Sequence, residues 1–293
     1  MAPKEIYQEW QQEMRGCLIG VLFKNLVGGK RKLESQISVI AISVLLVIGI
    51  VIAADYDRTV LSLNVNKIEN GTGMIVPAYS DPNGSWNELL SIHKLFPKVP
   101  IIVIINPDNG SGNYSSNNYA NWTDLLKLNG IKVLGYVYTS YGNRSESTIE
   151  QQVLNYASWY KVDGIFLDEV GDNSSNTQFY RSVVKNIRGS GLDYVVGNPG
   201  TNSPKSISSL FNLTIQYENS GLPPEKYFES IVNGTPRSNS SVICYSVARF
   251  DSNWATAAEK YFSFIYITNL GLPNPYEGFP PYLTEEAQLL SYG

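Results

Sequence analysis

A short apolar run alternates with a longer polar stretch eight times in the last three quarters of this chain. The runs are rich in β-branched residues and apolar on both faces, as in a parallel sheet that is covered on each side. They occupy residues 74–79, 101–106, 132–138, 164–169, 194–198, 213–218, 242–247 and 262–268. Strand alternating with helix eight times predicts an α/β fold, a single (β/α)8 barrel of the TIM type.

The spacers between these runs carry helical periodicity. Helices are predicted at residues 88–95, 119–128, 148–159, 178–188, 224–232 and 254–260, whereas the spacer at 204–210 is short and weak. A doubly wound open sheet would also use parallel strands, but it usually has fewer of them. No Gly-rich phosphate-binding fingerprint follows the first run, so the barrel is the favoured fold.

One apolar run differs from the other eight because it is long enough to cross a membrane. Residues 37–54 contain eighteen residues without a charge, which as a helix would span ~27 Å. Basic residues at 30–32 precede this run, and Asp55 and Asp57 follow it. This asymmetry predicts a single-pass anchor with a cytoplasmic N-terminus. A cleaved signal peptide is the alternative, although its apolar region is usually shorter.

The chain therefore divides into a cytoplasmic tail (1–36), a transmembrane helix (37–54), a stalk (55–70) and the barrel (71–293). Apolar residues at helical spacing in the tail predict an amphipathic helix that could touch the membrane surface or a partner; a short solvated tail is equally consistent. All ten Asn-X-Ser/Thr sequons follow residue 54. They fit an extracellular glycoprotein on the cell membrane.

Composition excludes several classes of function. The formal net charge of −4 provides no general positive field for nucleic acid. With two cysteines and one histidine, a Cys/His metal site is excluded. A site built from carboxylates alone stays open, but we expect no metal and no cofactor.

Polar and aromatic side chains gather at the carboxyl ends of the eight strands, where such barrels hold their working residues. Paired carboxylates with tyrosine platforms suit the cleavage of a glycosidic bond, and a polysaccharide is the expected partner. The acids could instead cap helices, and the tyrosines could merely pack. The candidate catalytic residues are Asp168, Glu169 and Glu218, and the candidate substrate-binding residues are Tyr79, Asp81, Asn106, Tyr136, Tyr138, Asn198, Tyr217 and Tyr245.

Six stretches, in order along the barrel, resemble the spherulin-4 family. They are residues 76–83, 104–112, 134–144, 162–169, 198–201 and 217–218, of which GlyTyrValTyrThrSerTyrGly and GlyIlePheLeuAspGlu are the most specific. The family pattern has a proline where this chain has Ser111. The resemblance implies a (β/α)8 glycoside hydrolase related to enzymes that cleave α-1,4-linked N-acetylgalactosamine in exopolysaccharide. It also implies that Asp168, Glu169 and Glu218 are the essential acids.

Two mechanisms follow from these acids. In one, Glu169 is the acid/base and Glu218 the nucleophile. In the other, Asp168 orients a substrate acetamide that attacks in place of the protein, and Glu169 protonates the leaving group. An α-linked galactosamine disfavours the second, because its acetamide is not trans to the leaving group. The alternative functions are a glycan-binding or structural envelope protein on the same barrel, and an interaction scaffold that works through residues 1–36.

Overall fold

The computed structural model of the chain describes residues 71–293. The predicted tail (1–36), membrane anchor (37–54) and stalk (55–70) lie outside the described residues. Among residues 71–293, no helix combines the length and the apolar character needed to cross a membrane.

Eight parallel strands close into a barrel in chain order, with β8 pairing back onto β1. This confirms the predicted (β/α)8 barrel and excludes the doubly wound open sheet. The strands are β1 Gly73–Ala78, β2 Ile101–Ile105, β3 Lys132–Tyr138, β4 Gly164–Asp168, β5 Tyr194–Gly197, β6 Leu213–Ser220, β7 Ser240–Tyr245 and β8 Phe264–Ile267.

Eight α-helices accompany these strands in the described part of the chain. They are α1 Asn87–Leu95, α2 Asn117–Leu128, α3 Glu146–Asn155, α4 Thr177–Gly189, α5 Lys205–Ser208, α6 Phe228–Val232, α7 Ser252–Ala258 and α8 Leu283–Leu290. The weak fifth spacer does form the shortest helix, α5. The predicted 148–159 helix changes to a π-helical turn at Tyr156–Tyr160.

The seventh strand begins earlier than the sequence predicts. Ser240 and Ser241 are fully buried in β7, although a search for apolar runs leaves them out. Their hydroxyls donate hydrogen bonds to backbone carbonyls, at 3.1 Å to Pro236 and 2.9 Å to Phe264. A buried hydroxyl with an acceptor costs little, so these serines are compatible with a buried strand.

Apolar side chains that alternate along the strands fill the barrel. One close approach requires a glycine. A Cβ atom on Gly73 would lie 2.5 Å from the ring of Phe264, its partner on β8. Above this filled interior the strands end in polar residues, and the candidate site lies at that edge.

The sixth strand contains an irregularity that decides where Glu218 points. Ile215 pairs with Ser241 of β7 and Glu218 pairs with Ile243, so three residues of β6 match two of β7. Because side chains alternate along β7, Ser241 and Ile243 share a face, and Ile215 and Glu218 share it with them. With regular alternation from Ile215, Glu218 would point to the outer face. The β-bulge adds one residue and so turns Glu218 to the inner face.

Candidate functional site

The end of β4 places Asp168 at the centre of the barrel opening. The Tyr136 hydroxyl donates a hydrogen bond of 2.8 Å to its Oδ2 atom, and the Asn198 amide donates one of 2.7 Å to its Oδ1 atom. Tyr136 comes from β3, and Asn198 follows β5. Asp168 is thus held by both neighbouring strands, with one donor on each carboxylate oxygen.

Glu169 occupies a bend at the tip of β4. Its φ is 51°, in the left-handed region that costs a residue with a side chain about 1–3 kcal/mol. The bend allows two consecutive acids to reach the same end of the barrel, which a regular strand would not. The charge of Glu169 is among the causes that raise the pKa of Tyr136, after burial and Asp168. The charge of Glu169 therefore acts on the same hydroxyl as that of Asp168.

A hydrogen-bond network supports this bend. The carbonyl of Glu169 accepts hydrogen bonds of 2.7 Å from the Thr139 hydroxyl and of 2.7 Å from the Tyr141 backbone N–H. The Thr139 and Tyr180 hydroxyls are 3.0 Å apart, and the Tyr180 oxygen accepts the Gly171 N–H at 2.7 Å. Sequence reasoning missed Thr139 and Tyr180, because nothing in their spacing links them to Glu169.

The AsnProGly segment after β5 fixes the orientation of the Asn198 amide. Asn198 Oδ1 accepts the Gly200 N–H at 2.9 Å, so its Nδ2 faces the carboxyl groups. That nitrogen donates to Asp168 Oδ1 and also to Glu218 Oε2. Gly200 has a φ of 65°, which a glycine adopts without strain. The tight turn therefore aims one amide at two buried acids.

Glu218 receives a second donor from a residue that the predicted set lacks. The Tyr276 hydroxyl donates to Glu218 Oε1, on the opposite side from Asn198. Tyr276 lies in the loop between β8 and α8 rather than at a strand end. In the sequence, Tyr276 is only one of the tyrosines that follow the last strand. Nothing in the sequence distinguishes it from Tyr282 as a partner of Glu218.

Burial dominates the electrostatics of the two acids. It raises the pKa of Glu218 to about 7, with the negative charge of Asp168 adding to the effect and the bonds from Tyr276 and Asn198 opposing it. Burial also raises the pKa of Asp168, whereas Tyr136, the backbone N–H of Glu169 and Asn198 lower it. Since more donors stabilise ionised Asp168, the pair on the acid side of the Glu218 pKa is best described as a protonated Glu218 beside an Asp168 carboxylate.

A cleft of about 460 Å³ is lined by Tyr136 and Tyr276, the two tyrosines whose hydroxyls donate hydrogen bonds to Asp168 and Glu218. Tyr79, Tyr136 and Tyr276 contribute aromatic surface, and Tyr79 packs edge-on against both other rings, with centroids 5.3 and 5.2 Å away. Asn106 also lines the cleft, where its Oδ1 accepts the Gly110 N–H at 2.8 Å and shapes the loop after β2. The lining is completed by Pro107, Asp108, Asn109, Pro273, Asn274 and Pro275.

Four predicted substrate-binding residues lie away from this cleft. Asp81 is exposed on the loop after β1, and Tyr217 lies in the β6 bulge. Tyr138 is covered by the Arg144 guanidinium, 3.8 Å from its ring centre. Tyr245 ends β7 opposite Ser220. The structure thus places Tyr79, Asn106 and Tyr136 in the cleft and Asn198 against the acids, whereas these four residues do not line the cleft.

Hydrogen-bond donors surround the buried acids Asp168 and Glu218. Across residues 71–293, no cluster of three or more His, Cys, Asp or Glu side chains has the geometry of a metal site. The site can therefore be described as a carboxyl pair, a third acid at the rim and an aromatic cleft.

Among the known proteins that this chain resembles, three comparisons bear on its family. The model of spherulation-specific family 4 matches residues 73–290. Spherulin-4 of Physarum polycephalum is 32% identical over 168 residues, which is 56% of this chain and 49% of spherulin-4, so the match spans about half the length of that relative. A crystal structure of Aspergillus clavatus Sph3 in complex with GalNAc is 25% identical, with a TM-score of 0.70, covering 76% of this chain and 99% of that one.

Proposed function

This chain belongs to spherulation-specific family 4, and we propose that it is a glycoside hydrolase that cleaves a glycan containing N-acetylhexosamine. The observation that carries the proposal is the buried pair Asp168 and Glu218, joined through one Asn198 amide nitrogen. Sph3, which shares the barrel, has been crystallised with GalNAc. This supports an α-1,4-galactosaminan type of exopolysaccharide or envelope glycan as the substrate.

The spacing of the pair supports a double-displacement mechanism. Two oxygens that accept from the same nitrogen lie within about 5 Å of each other, close to the ~5–5.5 Å separation of carboxyls in retaining glycosidases. Inverting enzymes need a wider gap, because a water molecule must fit between the acid and the sugar.

The geometry favours a division of roles that differs from the one suggested by sequence. Protonated Glu218 gives its proton to the glycosidic oxygen while Asp168 attacks the anomeric carbon, which releases the leaving chain and forms a glycosyl ester. Glu218 then takes a proton from water, and that water displaces Asp168 with the original configuration restored. Glu169, at the tip of β4, positions the substrate. The sequence-based hypothesis instead makes Glu169 the acid/base and Glu218 the nucleophile.

The aromatic side of the cleft supports binding of a sugar chain. Tyr79, Tyr136 and Tyr276 offer ring surfaces next to the acids. Aromatic faces pack on the apolar faces of sugar rings, while polar groups at the rim hydrogen-bond to the hydroxyls. Asn106 and Asp108 provide such polar groups in the same cleft.

Amide variants of the three acids test the proposal and separate the two role assignments. Asp168→Asn and Glu218→Gln are expected to lower the release of reducing ends from N-acetylgalactosamine polymers by about 10²–10⁴-fold. Glu169→Gln is expected to raise KM more than it lowers kcat, because Glu169 contacts substrate without exchanging a proton. A loss of kcat in Glu169→Gln equal to that in Glu218→Gln would favour the sequence-based roles. Near wild-type rates in both Asp168→Asn and Glu218→Gln would refute the site.

A further inference from the structure

We propose that Tyr276 is a positioning residue that holds the Glu218 carboxyl in one orientation and sets the pH range in which the acid pair works. This inference rests on the proposed function, since it concerns the proton that Glu218 delivers. Tyr276 is 6% exposed and lines the cleft. It follows the last strand, and its hydroxyl contacts Glu218 Oε1, whereas Asn198 contacts Oε2.

The two oxygens of Glu218 face different kinds of hydrogen-bonding group. Oε2 faces the Asn198 amide nitrogen, which can only donate, because the Gly200 N–H fixes the amide orientation. Oε1 faces the Tyr276 hydroxyl, which donates to an ionised carboxylate and can accept from a protonated one. The removable proton of Glu218 therefore belongs on Oε1, the oxygen on the Tyr276 side of the cleft.

The backbone of Tyr276 is tied to the barrel, so its hydroxyl is held before substrate arrives. The Tyr276 N–H donates to Asn274 Oδ1 at 3.1 Å, and its carbonyl accepts the Tyr79 N–H at 3.0 Å, just after β1. The Tyr276 ring also meets the Tyr79 ring edge-on, at an interplanar angle of 80°. A donor that is fixed in advance stabilises charge without having to reorganise during the reaction.

Four titratable groups face Glu218 from the surrounding elements. Asp168 comes from β4, Tyr136 from β3, Tyr79 from the end of β1 and Tyr276 from the loop after β8. Asp168 and burial raise the pKa of Glu218, whereas the Tyr276 hydroxyl lowers it. Removing that hydroxyl therefore makes the ionised form of Glu218 harder to reach.

The test is Tyr276→Phe, with Tyr282→Phe as the matched control in the same segment, because the Tyr282 hydroxyl donates instead to the Val247 carbonyl. Infrared titration of ¹³C-glutamate-labelled protein, without substrate, follows the carboxyl of Glu218, and the difference from Glu218→Gln assigns its band. We expect Tyr276→Phe to move the Glu218 midpoint upward by about 0.5–1.5 pH units. The alkaline limb of hydrolysis should move with it, while Tyr282→Phe leaves both where they are.

An unchanged midpoint in Tyr276→Phe would overturn the positioning role, even if hydrolysis slowed. A shifted midpoint in a protein that cleaves no glycan would retain the positioning role and reject the proposed function. If Tyr276→Phe folds poorly, 3-fluorotyrosine at position 276 keeps the ring and makes its hydroxyl a stronger donor. That variant should move the Glu218 midpoint downward, and an unmoved midpoint would again overturn the role.

Discussion

At the scale of single residues, the Asn198 amide is where the two buried carboxyl groups meet. Its nitrogen contacts both acids, and its oxygen is occupied by the Gly200 N–H. Two acids so close together repel each other when both are ionised, and a shared donor offsets part of that repulsion. Asn198 therefore acts on both members of the pair.

Replacing Asn198 with alanine should lower kcat on N-acetylgalactosamine oligomers by about 10²-fold, in the range seen when one preorganised donor is removed. Asn202→Ala is the control, because Asn202 is exposed and its amide donates to the Ser230 carbonyl instead. Steady-state kinetics on both variants check this. An Asn198→Ala enzyme within twofold of wild type would show that the bridge does not contribute to the reaction.

The sequence pattern selects three residues that the structure brings together, but it misses one of their hydrogen-bond partners. Asp168, Asn198 and Glu218 follow apolar runs, so the rule for strand ends selects them. Tyr276 approaches Glu218 from a long loop, and no periodicity predicts where such a loop returns. Asp81, Tyr138, Tyr217 and Tyr245 also follow apolar runs, so the same rule selects them. They do not line the cleft, because a position at a strand end does not determine which way the side chain faces.

At the scale of single elements, the β6 bulge shows what a one-dimensional pattern omits. An observer counting alternate residues from Ile215 would place Glu218 on the outer face of the barrel, toward the helices. The extra residue in β6 reverses this, and it becomes visible only through the pairing with β7. Bulges of this kind are frequent beside active sites because they redirect a side chain without ending the strand.

The last helix, α8, carries a buried acid that is separate from the proposed reaction. Glu286 is fully buried, and no side chain of the described residues donates a hydrogen bond to its carboxylate oxygens. Burial raises the pKa of Glu286 to about 8, with the Ile267 backbone opposing the shift. Pairing between β1 and β8 stops at Met74 and Ile265. Glu286 thus lies beside the part of β8 that β1 no longer covers.

This acid predicts how stability changes with pH. The folded protein keeps the Glu286 proton up to a pH of about 8, whereas the unfolded chain loses it near 4.5. Glu286 should therefore reduce the free energy of unfolding as pH rises between these values, by at most about 1.4 kcal/mol per unit. Glu286→Gln should remove this slope. Urea unfolding at pH 5 and pH 8 measures the change in the free energy of unfolding. Glu285→Gln is the control, because the Glu285 side chain is exposed. Parallel pH profiles for wild type and Glu286→Gln would contradict the prediction.

At the scale of the whole molecule, the repeat of strand and helix was enough to predict the barrel. Each run is short and buried, so the eight together fit one closed parallel sheet. The ends of the strands were harder to predict. Ser240 and Ser241 are polar, yet they are buried in β7 because their hydroxyls have hydrogen-bond acceptors. A fold is set by many weak signals that agree, whereas a site depends on a few contacts between distant segments.

Display of the barrel outside the cell stays a prediction from residues 30–57. If residues 37–54 anchor the chain with a cytoplasmic N-terminus, protease added to intact cells should digest the barrel. A short epitope placed at the N-terminus should remain protected until the membrane is permeabilised. Release of the whole barrel into the medium, without a membrane-bound fraction, would instead support a cleaved signal peptide.

The most direct measurement of the proposed reaction is the anomeric form of the first product, followed by proton NMR during hydrolysis of an α-1,4-linked N-acetylgalactosamine oligomer. Double displacement by Asp168 and Glu218 predicts that the α-anomer forms first and then mutarotates, and that Asp168→Asn forms product about 10²–10⁴-fold more slowly. Initial formation of the β-anomer would contradict the mechanism. Tight binding of the oligomer without any new reducing end would contradict the enzyme itself, and would leave a glycan-binding protein on the same barrel.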